Sequence, residues 1–326
     1  MSKLSGLVNI GNTCYINSTI QCLINTRVLN RFFDVKYEKL VKNPNDYNAI
    51  FTHEFNDLRK LMHSKDCVVN PKRFIAVIQK ISSIQNRPEF SGYLQNDVGE
   101  FIQYFIEVIH NSIKRKVSFS IKGEIKNDKD KIANECFKAQ KRFFENEYSE
   151  IINIFYGTMI TQIINKEKPE DNNLICEPFS TLILPIPDIK EISLKNCFDE
   201  YLKNEKINDI KEKLIKFWSL PDILIVVFNR FAFDGSKKNQ KLINVPITDI
   251  DLSEFVLEYN NESVYDLYAT CEHSGNIHGG HYTAHIKKDN GNWYNVNDNI
   301  LQKINPDKII TQKTYILFLE KKGVNI

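Results

Sequence analysis

The chain has 326 residues, 42% of them hydrophobic and 26% charged, a balance that fits one large globular domain or two ordinary ones and excludes a disordered chain. Lys and Arg number 43 against 41 Asp and Glu, so the net charge of +2 offers no global field for nucleic acid or an anionic membrane. The longest strongly apolar run, Ile223 to Phe228, is far below the roughly 20 residues of a membrane span. Met1 to Ile10 lacks a signal-peptide pattern. The expectation is a soluble intracellular protein, cytoplasmic or nuclear, with no nucleic-acid or membrane partner.

In chain order, the first half reads as helical. After Cys14, apolar residues at Ile16, Ile20, Leu23 and Ile24 have the spacing of a buried helix face. Phe51 to Met62 and Pro71 to Ile84 predict two more helices, with Pro71 suited to a first turn. A further helix starts near Asp97 and continues through Phe101, Tyr104, Phe105, Val108 and Ile109. Lys114 to Arg142 holds ten basic and four acidic residues. No aromatic interleaving or nucleic-acid module accompanies it, so it is expected to be a solvated helix or loop joining two halves.

The second half changes period. Thr181 to Ile186, Ile223 to Asn229, Tyr265 to Cys271, Tyr282 to Lys287, Trp293 to Val296 and Thr314 to Leu319 read as strands rich in β-branched and aromatic residues. Helices followed by strands predict an α+β fold. The seven cysteines are scattered and form no C-x-x-C pair, which argues against a disulfide framework or zinc knuckle. Most are expected to be buried and reduced.

One cysteine needs a different account. In Gly6-Leu7-Val8-Asn9-Ile10-Gly11-Asn12-Thr13-Cys14-Tyr15-Ile16-Asn17-Ser18, Cys14 falls at a helix start reached through a Gly/Asn/Thr turn. Helix N–H groups there favour a thiolate and lower its pKa. The same donors, with the Asn9 amide, suit a developing oxyanion. A helix cap followed by an ordinary buried cysteine fits equally well until a second segment is weighed. His273 to Thr283 contains three of the seven histidines, and His281 follows the Gly279–Gly280 pair. A thiol nucleophile needs such an imidazole base, and glycines let another backbone pass closely. Asn297 and Asp298, ending the next strand, are both candidates to orient His281; alternation puts them on opposite faces, so one of them makes the contact.

These segments resemble the ubiquitin-specific proteases, a papain-like family. The first is similar to its Cys box, His273 to Tyr282 to its His box, and Trp293 to Asp298 to the W-Y-x-F-N-D that ends the latter. Leu94-Gln95-Asn96-Asp97-Val98-Gly99-Glu100-Phe101 resembles the Q-Q-D-A-x-E-F helix start, and Leu220 to Phe231 the L-P-x-x-L-x-I-x-L-x-R-F strand. The resemblance implies a thiol-dependent deubiquitinase acting through a Cys-His-Asn triad and a thioester, without a cofactor. Cys14 would be nucleophile, His281 base, Asn297 the third member with Asp298 beside it, and Asn9 the oxyanion donor. Asp97 and Glu100 match acids that hold the basic ubiquitin tail, a natural role for carboxylates, and both also fit a helix start. Gln95, His278, Gly280, Tyr282 and Phe233 match other substrate-contacting positions.

The implied architecture is one catalytic domain over 1–326: a helical thumb to about 113, a basic connector over 114–149, and β-rich fingers and palm from 150 onward. The family's zinc pairs are missing, since only Cys176 lies between Gly157 and Glu177 and no cysteine lies between Ile207 and Ser219. Short, zinc-free fingers are therefore expected. Ubiquitin and its conjugates are the implied partners of a monomer. The alternatives are an inactive ubiquitin-binding module and a protease for another ubiquitin-like modifier.

Overall fold

The computed structural model describes residues 3–324 except 233–236, 260–261 and 277–278. A short strand β1 (Ser5–Leu7) leads into a turn whose left-handed residues are Gly11 and Asn12, with φ of 108° and 53°, and then into α1 (Cys14–Ile24). Gly and Asn are the residue types that tolerate such angles. The thumb continues through α2 (Arg27–Phe32), α3 (Glu38–Leu40), α4 (Tyr47–Ser64), strand β2 (Cys67–Val69), α5 (Lys72–Ile84) and α6 (Val98–Ile113). β1 and β2 pair in parallel, a strand contact inside a half that reads as helical.

The three long thumb helices meet through aromatic side chains. Phe55 of α4 meets Phe105 of α6 edge-on at 4.7 Å, and Phe51 meets Phe74 of α5 at 5.1 Å, the edge-to-face geometry that ring quadrupoles favour. α4 starts four residues before the expected Phe51, because Asp46 caps it by accepting the Asn48 N–H at 2.9 Å. Pro71 sits one residue ahead of α5 as its cap.

The basic connector needs correction. Arg115 and Tyr148 exchange two backbone bonds of 2.9 Å, and between them runs α7 (Asp128–Phe144), opened by a reciprocal cap between Asn127 and Asp130. Its outer face is solvated, but Ala133, Cys136 and Ala139 are buried against Ile160, Cys176 and Trp218. α7 is therefore a packed wall of the second half as well as a link.

After α8 (Glu150–Phe155), the strands are β3 (Gly157–Asn165), β4 (Asn173–Phe179), β5 (Leu182–Leu184), β6 (Ile192–Ser193), β7 (Glu205–Lys206), β8 (Lys211–Ser219), β9 (Ile223–Phe228), β10 (Ile243–Asn244), β11 (Ile250–Asp251), β12 (Val264–Asn276), β13 (Gly279–Lys287), β14 (Trp293–Asn297), β15 (Ile300–Ile304) and β16 (Thr314–Lys321), with α9 (Leu194–Tyr201) after β6. The fingers are the sheet β4-β3-β8-β7. Its two long strands have nine residues each, about 30 Å of reach. The palm sheet runs β15-β14-β13-β12-β16-β9-β5, with β11 beside β12.

β9 explains the palm's packing. Ile223, Ile225 and Val227 face the thumb core, while Leu224, Val226 and Phe228 face a second core on the opposite side. A sheet covered on both faces reads as an unbroken apolar run, as Ile223 to Phe228 does. No helix among the described residues is long and apolar enough to cross a membrane.

Candidate active site

The turn before α1 is tied by its own side chains. The Asn9 Oδ1 accepts the N–H groups of Gly11 and Thr13, both at 3.2 Å, and the Thr13 hydroxyl at 3.3 Å; the Thr13 oxygen accepts the Ile10 N–H at 3.1 Å. This fixes Cys14 as the first residue of α1, 3% exposed. Burial pushes its thiol above the ordinary range, and the nearby Asp298 carboxylate adds to that. Backbone N–H groups, the one of Tyr282 foremost, work in the opposite direction without prevailing. The helix start was expected to lower this pKa; desolvation wins because the charged thiolate loses more in leaving water than three amides return.

His281 lies near the start of β13, paired across to Ser274 of β12. Its Nε2 meets the Asn297 Oδ1 at 2.6 Å. A carbonyl oxygen only accepts, so Nε2 carries the proton and Nδ1 is left as the basic nitrogen. Asn297 ends β14. Asp298 follows with φ of 51°, and its side chain turns elsewhere, accepting the Asn9 Nδ2 at 3.0 Å and the Asn17 Nδ2 at 2.8 Å. The Asp298 carbonyl also accepts the Leu7 N–H at 3.0 Å. Asp298 thus stitches the palm to the cysteine loop, while Asn297 holds the imidazole.

A cleft of about 530 Å³ runs beside these residues, lined by Gln95, Asp97, Glu100, Gly279, Gly280 and Tyr282 among others. Asp97 caps α6, accepting the Gly99 and Glu100 N–H groups at 2.7 and 3.2 Å, and its second oxygen accepts the Tyr315 hydroxyl at 2.8 Å. Burial, then the Asp97 and Glu89 carboxylates, raise the pKa of Glu100 and outweigh the opposing pull of Arg87. Gln95 spans the cleft: its amide nitrogen donates to the Gly280 carbonyl at 2.9 Å and its oxygen accepts the Gly280 N–H at 2.7 Å.

The glycine pair has a second reason beyond backbone passage. A Cβ on Gly280 would stand 2.2 Å from the His273 Nε2 and 2.6 Å from the Ser274 carbonyl, so the neighbouring strand itself demands glycine. His278 and Phe233 lie outside the described residues. Asn17 and Tyr315 are site residues that residue-by-residue reading did not single out. Asn17 stands inside the cysteine segment, whereas Tyr315 reads as an ordinary strand aromatic.

Six of the seven free cysteines are buried, Cys67 being half-buried. Cys136 and Cys176 bring their sulfurs to 3.3 Å. Among the described residues no cluster of three or more His, Cys, Asp or Glu could hold a metal ion.

The ubiquitin carboxyl-terminal hydrolase family model matches residues 5–319. Human ubiquitin carboxyl-terminal hydrolase 2 is 30% identical over 341 residues, covering 97% of this chain and 55% of its own length. Human ubiquitin carboxyl-terminal hydrolase 21 is 30% identical over 355 residues, covering 97% and 61%. The chain thus spans little more than half the length of these curated relatives. Among solved structures, the SAGA Ubp8/Sgf11/Sus1/Sgf73 DUB module bound to ubiquitin aldehyde has a chain that superposes with a TM-score of 0.74 at 22% identity, covering 99% of this chain and 70% of that one.

Proposed function

The chain belongs to the ubiquitin carboxyl-terminal hydrolase family, and on that premise we propose that it is a thiol-dependent deubiquitinase that cleaves after the C-terminal glycine of ubiquitin. The observation that carries the reading is the 2.6 Å bond from His281 to Asn297, which fixes the imidazole tautomer in the way a thiol nucleophile's base requires.

In this reading the basic tail of ubiquitin lies in the cleft with Asp97 and Glu100 and exchanges the Gln95–Gly280 bonds for its own. His281 Nδ1 takes the Cys14 proton as sulfur attacks the glycine carbonyl. The oxyanion forms near the start of α1, where the helix N–H groups and the Asn9 amide are the donors. Asn9 already gives one amide hydrogen to Asp298, which leaves its second for the oxyanion. Collapse breaks the carbon–nitrogen bond, and the imidazolium returns its proton to the departing lysine amine. Water, activated by His281, then hydrolyses the thioester. The protein acts as a monomer on ubiquitin conjugates in the cytoplasm or nucleus; the seven free thiols support a reducing compartment.

Intact mass after incubation with ubiquitin bearing a C-terminal electrophile tests this. The expected product is one ubiquitin adduct, lost in Cys14→Ser. A second reading, a ubiquitin-binding module without turnover, is favoured by the neutral Cys14 thiol and by the Gln95 bridge. It predicts binding without an adduct. Adducts with another ubiquitin-like modifier and none with ubiquitin would reassign the substrate.

A further inference from the structure

Two clefts of opposite charge flank β13. The first is the tail cleft with Asp97 and Glu100. The second, of about 780 Å³, lies along the face of β12 to β14 that carries His281, Thr283 and Asn295, and Asn297 lines it beside His281. The segment before β16 contributes Lys308 and Lys313 to its lining, and Lys238 lines it as well. Of the described residues that line it, Glu272 is the one acid. Its buried carboxylate is taken by the hydroxyls of Thr270 at 2.9 Å and Thr311 at 2.6 Å. Lys238 donates to His273, at 3.0 Å to Nδ1 and 2.6 Å to the carbonyl. Lys308 and Lys313 are exposed and have no carboxylate partner among the described residues, so their charges are open to whatever enters.

The chemistry dictates what enters. The proton that His281 removes from Cys14 must go to the amine that leaves, so the polypeptide bearing that amine lies against the imidazole. The ubiquitin tail fills the acidic cleft, and the basic one is the space left beyond His281. We propose that this basic cleft receives the leaving polypeptide and selects acceptor lysines flanked by Asp or Glu; the inference rests on the deubiquitinase reading. Opposite potentials on the two sides also fix the direction in which a conjugate lies across the site.

The test uses ubiquitin joined by an isopeptide bond to the lysine of short dye-labelled peptides with acidic, neutral or basic flanks. Each kcat/KM is divided by that of the same enzyme on ubiquitin-aminocoumarin, whose leaving group has no flanking side chains. The expected preference for acidic over neutral flanks is roughly fivefold at low salt, fading at high salt as charges are screened. In the double variant Lys308→Glu, Lys313→Glu the order inverts and basic flanks lead; both side chains are exposed, and an unchanged melting temperature verifies folding. Equal rates for all flanks at low salt, or a preference that survives the double substitution, overturn the inference while aminocoumarin release upholds the deubiquitinase. No aminocoumarin release from folded protein overturns that function and this inference with it.

Discussion

Cys14 is poised as a neutral thiol, because burial outweighs the amides that favour its thiolate. The sign follows directly: a raised pKa means little thiolate at neutral pH and more as pH climbs. Alkylation of Cys14 by iodoacetamide in the free protein should therefore keep accelerating through and beyond the ordinary thiol range near 8.5, read by peptide mass; a plateau below pH 7 would contradict it. Asn297, which ends β14, and Asp298, which follows it, divide their work. Asn297→Ala should lower kcat about 100-fold, within the span of general acid–base catalysis, because His281 loses its orienting partner. Asp298→Ala should cost less, acting through Asn9 and Asn17, and the reverse order would make Asp298 the orienting group. The motif made the His281–Asn297 contact legible in the sequence. What Asp298 does was not legible, since alternation assigns a face and cannot say which amides a left-handed residue reaches.

At the scale of elements, hydrophobic period predicted what a continuous apolar face builds and missed what small or alternating residues build. α6 and β9 were plain in the sequence because their buried faces are large and unbroken. α7 was read only as a solvated link: a stripe of Ala133, Cys136 and Ala139 is faint beside ten basic residues. Overpacking that stripe is the sharpest check. Ala133→Leu, 3% exposed in the parent, should destabilise by about 1–3 kcal/mol in urea unfolding. Asn127→Ala, which removes the cap, should cost about 1 kcal/mol. The fingers strands escaped prediction for a related reason. Lys211 to Ser219 mixes lysines with Leu214, Ile215 and Phe217, the pattern of a half-wet ladder whose long partner, β3, lies far away in sequence.

Across the whole molecule, two buried histidines link stability to acidity. His110 of α6, bonded to the Ser149 hydroxyl at 2.7 Å, and His273 beneath Tyr282 are each pushed down to about 4, first by burial and then by a nearby lysine. In the unfolded chain a histidine titrates near 6.5. Between those values the unfolded state binds more protons, so stability is whole above about pH 6.5 and is lost as pH falls toward 4. The melting temperature should drop through that window, and His110→Gln should flatten part of the fall. The bonds from Asn9 and Asn17 to Asp298 join residues 289 and 281 positions apart. During synthesis Cys14 leaves the ribosome long before His281 exists. At 5–20 residues per second, Cys14 waits roughly 13–53 s for His281. On the proposed function, translation itself therefore acts as a timer, since Cys14 has no imidazole partner until the strand that carries His281 has been made.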